Sequence, residues 1–123
     1  MGKPQIIDTT NLPVETKRGG KLKVYASPKT LGTTKLVLGN TILEPGEETI
    51  EHIHDYSEEL LFILKGSGII LLEGVEYGIG AGNAIIARQG QRHKIINNSN
   101  EQMELLFASA PLAPNPETGH RDV

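Results

Sequence analysis

Short runs rich in Ile, Leu and Val recur along the chain, each closed by glycine, proline or a small polar cluster, and no long stretch carries apolar residues at helical spacing. The pattern predicts an all-β fold. Strands are expected over residues 21–26, 35–43, 48–54, 59–65, 68–73, 75–79, 83–87, 93–97 and 103–108. Turn signals separate most of them: Glu44-Pro45-Gly46, Lys65-Gly66-Ser67-Gly68, Glu73-Gly74, Gly80-Ala81-Gly82, Gln89-Gly90 and Asn97-Asn98-Ser99-Asn100. Many short strands at this spacing predict a sandwich or barrel whose side chains alternate between an inner and an outer face.

Several strands are apolar on both faces. In residues 59–65, Glu59, Leu61 and Ile63 share one face while Leu60, Phe62 and Leu64 occupy the other. If the first face looks inward, the second needs a cover, and residues 68–72 repeat the pattern. The expected cover is a second sheet or a partner subunit, and a homodimer is predicted. Residues 1–17 form a polar, irregular arm, and residues 111–123 a proline-rich tail without periodicity.

A length of 123 residues suits one domain, 1–123, with its core at about 21–110. Twelve Lys and Arg against fifteen Asp and Glu give a net charge of −3, and the densest basic stretch, Lys17 to Lys23, has no aromatic interleaving. That stretch reads as a solvated turn and edge strand, so no nucleic-acid partner is expected. Cysteine is absent, which excludes disulfides and thiolate sites and leaves only nitrogen and oxygen as metal ligands. The longest unbroken apolar run, residues 60–64, is far too short to span a bilayer, and no signal-peptide core follows Met1. The expectation is a cytoplasmic protein with no membrane partner.

The candidate chemistry lies in the histidines. His52 and His54 are one residue apart, so on a strand both imidazoles project from one face, close enough to share an ion. Glu59 follows across the polar turn Asp55-Tyr56-Ser57-Glu58, and His93 opens a strand after Gln89-Gly90-Gln91-Arg92. Glu58 competes with Glu59, but alternation sets Glu59 with Leu61 and Ile63 and turns Glu58 toward solvent. A lone histidine near a strand is more often a hydrogen-bonded residue than a ligand. The weight therefore rests on the glycine and carboxylate frame around these residues.

That frame resembles the cupin superfamily, whose first motif reads G(X)5HXH(X)3-4E(X)6G and second G(X)5PXG(X)2H(X)3N. Gly46, His52, His54, Glu59 and Gly66 stand at the first spacing; Gly82, Gly90, His93 and Asn97 stand at the second. The resemblance implies a double-stranded β-helix, or jelly-roll, barrel holding one divalent transition metal ion through His52, His54, Glu59 and His93. Arg88 departs from the pattern where the second motif has proline. It restores a backbone donor and adds a charge. It reads either as a solvated arginine at a strand end or as an anchor for an anionic substrate group.

Three imidazoles and a carboxylate suit Fe, Mn, Ni, Co, Cu or Zn, and leave open positions on a six-coordinate ion. The ion would serve as a Lewis acid or would bind dioxygen beside a small-molecule substrate. Tyr56, Tyr77, Glu58, Gln91 and Asn97 are nearby polar groups, none of them assigned a catalytic role. Length, motifs and tail also resemble small cupins grouped with polyketide cyclases of the tetracenomycin and resistomycin type, which implies a metalloenzyme acting on a carbonyl-containing or aromatic metabolite. A metal-dependent dioxygenase and a non-catalytic, sugar-like ligand-binding or sensor module are the alternatives. His120, in the tail, is expected at the surface.

Overall fold

The computed structural model describes residues 5–123, so the first four residues of the expected arm lie outside the described residues. The strands are β1 Lys21–Ala26, β2 Val37–Leu43, β3 His52–Ile53, β4 Glu58–Lys65, β5 Ser67–Leu72, β6 Val75–Gly80, β7 Ala84–Ala87, β8 His93–Ile96, β9 Met103–Ala110 and β10 Arg121–Asp122. They form two five-stranded antiparallel sheets, ordered β1-β2-β9-β4-β7 and β10-β3-β8-β5-β6. The fold is all-β and cupin-like, as expected. Every predicted segment carries a strand.

The core lies between the sheets. Leu43, Leu61, Ile63, Met103 and Leu105 enter it from the first sheet, and Ile70, Ile79 and Ile95 from the second. β4 alternates strictly: Glu59, Leu61 and Ile63 are buried, while Glu58, Leu60, Phe62 and Leu64 are exposed. Leu60 and Phe62 remain 49% and 38% exposed, which leaves the outer apolar face of β4 open on a single chain.

Two turns show why glycine is needed where it stands. At Gly66 φ is +83°, and a Cβ would lie 2.5 Å from the Gln102 carbonyl oxygen. Only glycine fits that position without moving backbone. The β5–β6 hairpin turns on Glu73 and Gly74, at φ 51° and 78°, the two-residue geometry that matches strand twist.

Two expectations need correction. Residues 48–54 were expected as one strand, but only His52 and Ile53 form β3, because the backbone changes partner along the way: Thr49 N donates to Ile95 O and Ile50 N to Arg18 O. The proline-rich tail, expected without periodicity, ends in a strand of two residues that was not expected: β10 pairs with β3, setting Arg121 opposite Ile53 and Asp122 opposite His52. The described part of the N-terminal arm packs on β1, where Lys23 Nζ donates to the carbonyls of Thr9 and Thr10 at 3.1 Å. Among the described residues no helix is long and apolar enough to cross a membrane.

Candidate metal centre

The site forms where the second sheet faces β4. Short as it is, β3 keeps the same-face projection of His52 and His54, and His52 pairs in register with His93 of β8. The turn after His54 crosses to the first sheet, where Glu59 pairs with Ala87 on one side and Ser109 on the other. One ligand atom from each of His52, His54, Glu59 and His93 lies within 4.8 Å of the others. Two nitrogens 2.0–2.1 Å from a shared ion sit about 3 Å apart when adjacent and at most about 4.2 Å apart when opposed, so the cluster would draw in on binding an ion.

The hydrogen bonds around the rings decide which nitrogens face inward. The Nδ1 atoms of His52, His54 and His93 lie 2.6, 2.8 and 3.0 Å from the carbonyl oxygens of Ile50, Gly119 and Gln91. A carbonyl only accepts, so these contacts favour the proton on Nδ1; in His52 and His54 that leaves the Nε2 lone pair for the centre, whereas His93 Nε2 also lies 3.1 Å from Glu59 Oε1, a second acceptor. His54 Nε2 is buried without a hydrogen-bond partner. It lies 3.3 Å from Glu59 Oε2, a contact of charge rather than an aligned bond. An orphaned ring nitrogen beside a buried carboxylate fits a cation at this point.

Glu59 is 7% exposed, and Ser109 Oγ donates to its Oε2 at 3.1 Å. Burial alone would raise its pKa, but contacts to His54 and His93 outweigh burial and hold the carboxyl well below the usual carboxylate range. Burial likewise opposes protonation of His54, yet Glu59 prevails and raises that pKa. His52 has no such direct partner; burial dominates and pushes it down to about 4. The cluster thus sets one firm negative charge among three rings, of which His52 is held neutral by burial.

Other residues of the two motifs brace this arrangement. The backbone N–H of Gly90 donates to the carbonyl of His54 at 2.9 Å, tying the second motif to the first. Asn97 is fully buried, and its Nδ2 donates to the carbonyls of Leu43 and Glu101 at 2.9 and 2.8 Å. It is a stitch in the turn rather than a reactive group. Arg88 uses its restored backbone donor on Gln91 Oε1 at 2.8 Å, while its side chain is exposed. Tyr56, Tyr77 and Glu58 are exposed.

Two residues near the site were not foreseen in these roles. Ser109 supports Glu59, and the signal for it was a polar position continuing the inward apolar series Met103, Leu105, Phe107. His120, expected at the surface, is partly buried with its ring centroid 6.1 Å from that of His52; burial, followed by the nearby Arg18, lowers its pKa.

Inward from the ligands the surroundings are apolar. Leu72 pairs with His93, and Leu61 pairs with both Ile85 and Phe107, two residues along from Glu59. A cleft of about 370 Å³, lined by Ile70, Leu72, Tyr77, Ile79, Asn83 and Ile85, shares Leu72 and Ile85 with this wall. The cluster is therefore compatible with metal-dependent work on a small organic ligand.

The family model for the cupin domain matches residues 39–109. The chain is 33% identical over 120 residues to the polyketide synthase CurC of Streptomyces cyaneus, covering 98% of this chain and 78% of that protein. It is 36% identical over 106 residues to the tetracenomycin polyketide synthase protein TcmJ of Streptomyces glaucescens, covering 86% and 71%. The polyketide cyclase RemF from Streptomyces resistomycificus superposes with a TM-score of 0.77 at 20% identity, over 98% of this chain and 86% of that one, a likeness of fold.

Proposed function

Since the chain belongs to the cupin superfamily, with its cupin domain matched over residues 39–109, we propose that it is a divalent-metal enzyme acting on a small carbonyl-containing or aromatic metabolite, in the manner of polyketide cyclisation. The observation that carries this proposal is the convergence of a ring nitrogen from each of His52, His54 and His93 on the buried Glu59 carboxylate. His52, His54, Glu59 and His93 would hold one ion of Fe, Mn, Ni, Co, Cu or Zn. A bound ion would supply Lewis-acid polarisation of a substrate carbonyl. The residues do the rest: the backbone carbonyls fix the rings, Ser109 fixes Glu59, and Leu61, Leu72, Ile85 and Phe107 exclude water and hold an organic substrate. The polyketide names of the relatives support the substrate class, as a likeness.

Under this proposal the chain is a single cupin domain closed as a jelly-roll barrel, works in the cytoplasm, and pairs as a homodimer through the open apolar face of Leu60, Phe62 and Leu64. The test is reconstitution of metal-stripped protein with zinc, or anaerobically with iron, followed by a panel of β-polyketone and hydroxyaromatic substrates with oxygen uptake recorded. Ring closure with zinc and no uptake supports the proposal. Turnover that consumes oxygen and needs iron makes the protein a dioxygenase, and ligand binding with no turnover under any metal makes it a binding module.

A further inference from the structure

We propose that residues 119–123 form a clasp that positions His54 for the ion, so that clasp docking and metal occupancy favour one another. This rests on the assignment of His52, His54, Glu59 and His93 as ligands. Unlike its two companions, His54 depends on a distant part of the chain. The carbonyls that orient His52 and His93 belong to Ile50 and Gln91, each two residues upstream of its ring, whereas the carbonyl that orients His54 is that of Gly119, 65 residues away.

Like His93, which lies between Gln91 O at 3.0 Å and Glu59 Oε1 at 3.1 Å, His54 stands between a carbonyl and the Glu59 carboxylate, but its carbonyl is the one supplied from afar. Gly119 O accepts from Nδ1 at 2.8 Å, while Glu59 Oε2 lies 3.3 Å from Nε2 without an aligned bond to it. With the proton on Nδ1 the inner lone pair is free for an ion. Without Gly119 the ring loses the one hydrogen bond that orients it and is free to turn its proton toward Glu59, onto the lone pair that a metal needs.

The segment is tied down on both flanks of the His52–His54 pair. Arg121 donates to Asp55, the residue after His54, through Nε at 3.0 Å and Nη2 at 3.1 Å. Arg18 reaches Asp122 at 3.0 and 2.8 Å through its two terminal nitrogens. β10 lies antiparallel to β3, and Val123 N donates to Glu51 O at 3.2 Å. Upstream, Asn115 caps the short turn Pro116–Thr118 that presents the Gly119 carbonyl, and Ser57 Oγ donates to Pro111 O at 2.5 Å, fixing where the tail leaves β9. Because binding free energies are linked, whatever the clasp adds to metal affinity, the metal returns to clasp docking.

The experiment compares the full chain with a chain ending at Thr118, and with Asp55→Arg, Arg121→Asp and the double reversal. Zinc affinity is read by chelator competition, exchange of the 119–123 amides with and without zinc by mass spectrometry, and the ring proton of His54 by ¹⁵N spectra of the metal-free protein. Truncation is expected to weaken zinc roughly 10–100-fold, as loss of an outer-shell partner does, and to move the His54 proton to Nε2. Each single reversal is expected to weaken zinc about 2–5-fold, and the double reversal to restore it. Zinc should slow exchange of the clasp amides. A truncated chain with unchanged circular dichroism, zinc affinity within twofold and the proton still on Nδ1 overturns the proposal. Should truncation prevent folding, the reversals decide, and absence of weakening or of rescue overturns it. A full chain that binds no divalent metal overturns the ligand assignment and the clasp with it, an outcome distinguished by appearing before any variant is made.

Discussion

Glu59→Gln keeps the shape of the side chain and removes its charge, which makes it the sharpest perturbation of the centre. In the metal-free protein the change should itself lower the midpoint of thermal unfolding, because contacts to His54 and His93 outweigh the burial of the charged carboxyl, although an amide still accepts from Ser109; the quantity compared is therefore the metal-induced shift within each protein. The metal-bound protein should behave differently. Free metal at 100 times Kd adds about 2.7 kcal/mol to folding stability. For 123 residues the unfolding entropy is roughly 0.26 kcal/mol/K, so the wild type should gain about 10 °C in Tm. If the variant binds about 100-fold more weakly, the same metal concentration adds only about 0.4 kcal/mol, or between 1 and 2 °C. Differential scanning fluorimetry with Mn, Co, Ni and Zn measures the shift, with Glu58→Gln, an exposed neighbour on the opposite face, as the control that should retain the full gain. A Glu59→Gln protein that keeps a 10 °C shift, or a Glu58→Gln protein that loses it, refutes the reasoning.

The pH dependence of the metal-free protein should carry the mark of His52, whose folded pKa of about 4 lies below its ordinary 6.5 because of burial. Between those values the unfolded chain takes up a proton that the folded chain refuses, so this group's contribution falls by about 3 kcal/mol as pH drops from 7 to 4; His52→Asn should flatten that part of a Tm-against-pH curve, and an unchanged slope would count against buried neutral His52. His54 works in the opposite sense, its raised pKa adding stability below pH 6.5 that is lost as pH rises through the folded value. Phe62→Asp should turn a dimer into a monomer in analytical ultracentrifugation while leaving the fold intact; a wild-type chain monomeric at 100 µM would remove the basis for this expectation. Gly66→Ala should cost about 3 kcal/mol or more in urea unfolding, whereas Gly74→Ala, with φ of +78° but nothing within 4 Å of its Cβ, should cost about 1 kcal/mol. Equal losses would show that the Gln102 carbonyl yields.

The sequence made the four clustered residues legible because their spacing survives folding. His-x-His keeps one face even on a strand of two residues, and the alternation that set Glu59 with Leu61 and Ile63 also separated it from Glu58. Less of their support could be read. Which carbonyl meets each Nδ1 depends on backbone path rather than residue type, and Gly119 has no side chain to announce its role. β10 was hidden because two residues cannot display a period of two, and proline-rich surroundings argued against a strand. Ser109 lay one residue past the expected end of its strand, although the inward register of Leu105 and Phe107 pointed to it. The break of residues 48–54 into bridge and short strand reflects a change of hydrogen-bond partner from Ile95 to Arg18 that no local pattern records.

The three carbonyls that steer the imidazoles belong to the main chain, so no side-chain replacement can delete them outright. The mutational target of the outer layer is correspondingly small: Ser109 and the contacts that seat each loop. Replacements along the apolar wall, at Leu61, Leu72, Ile85 and Phe107, would therefore reshape the space beside the centre while leaving untouched the groups that aim its rings.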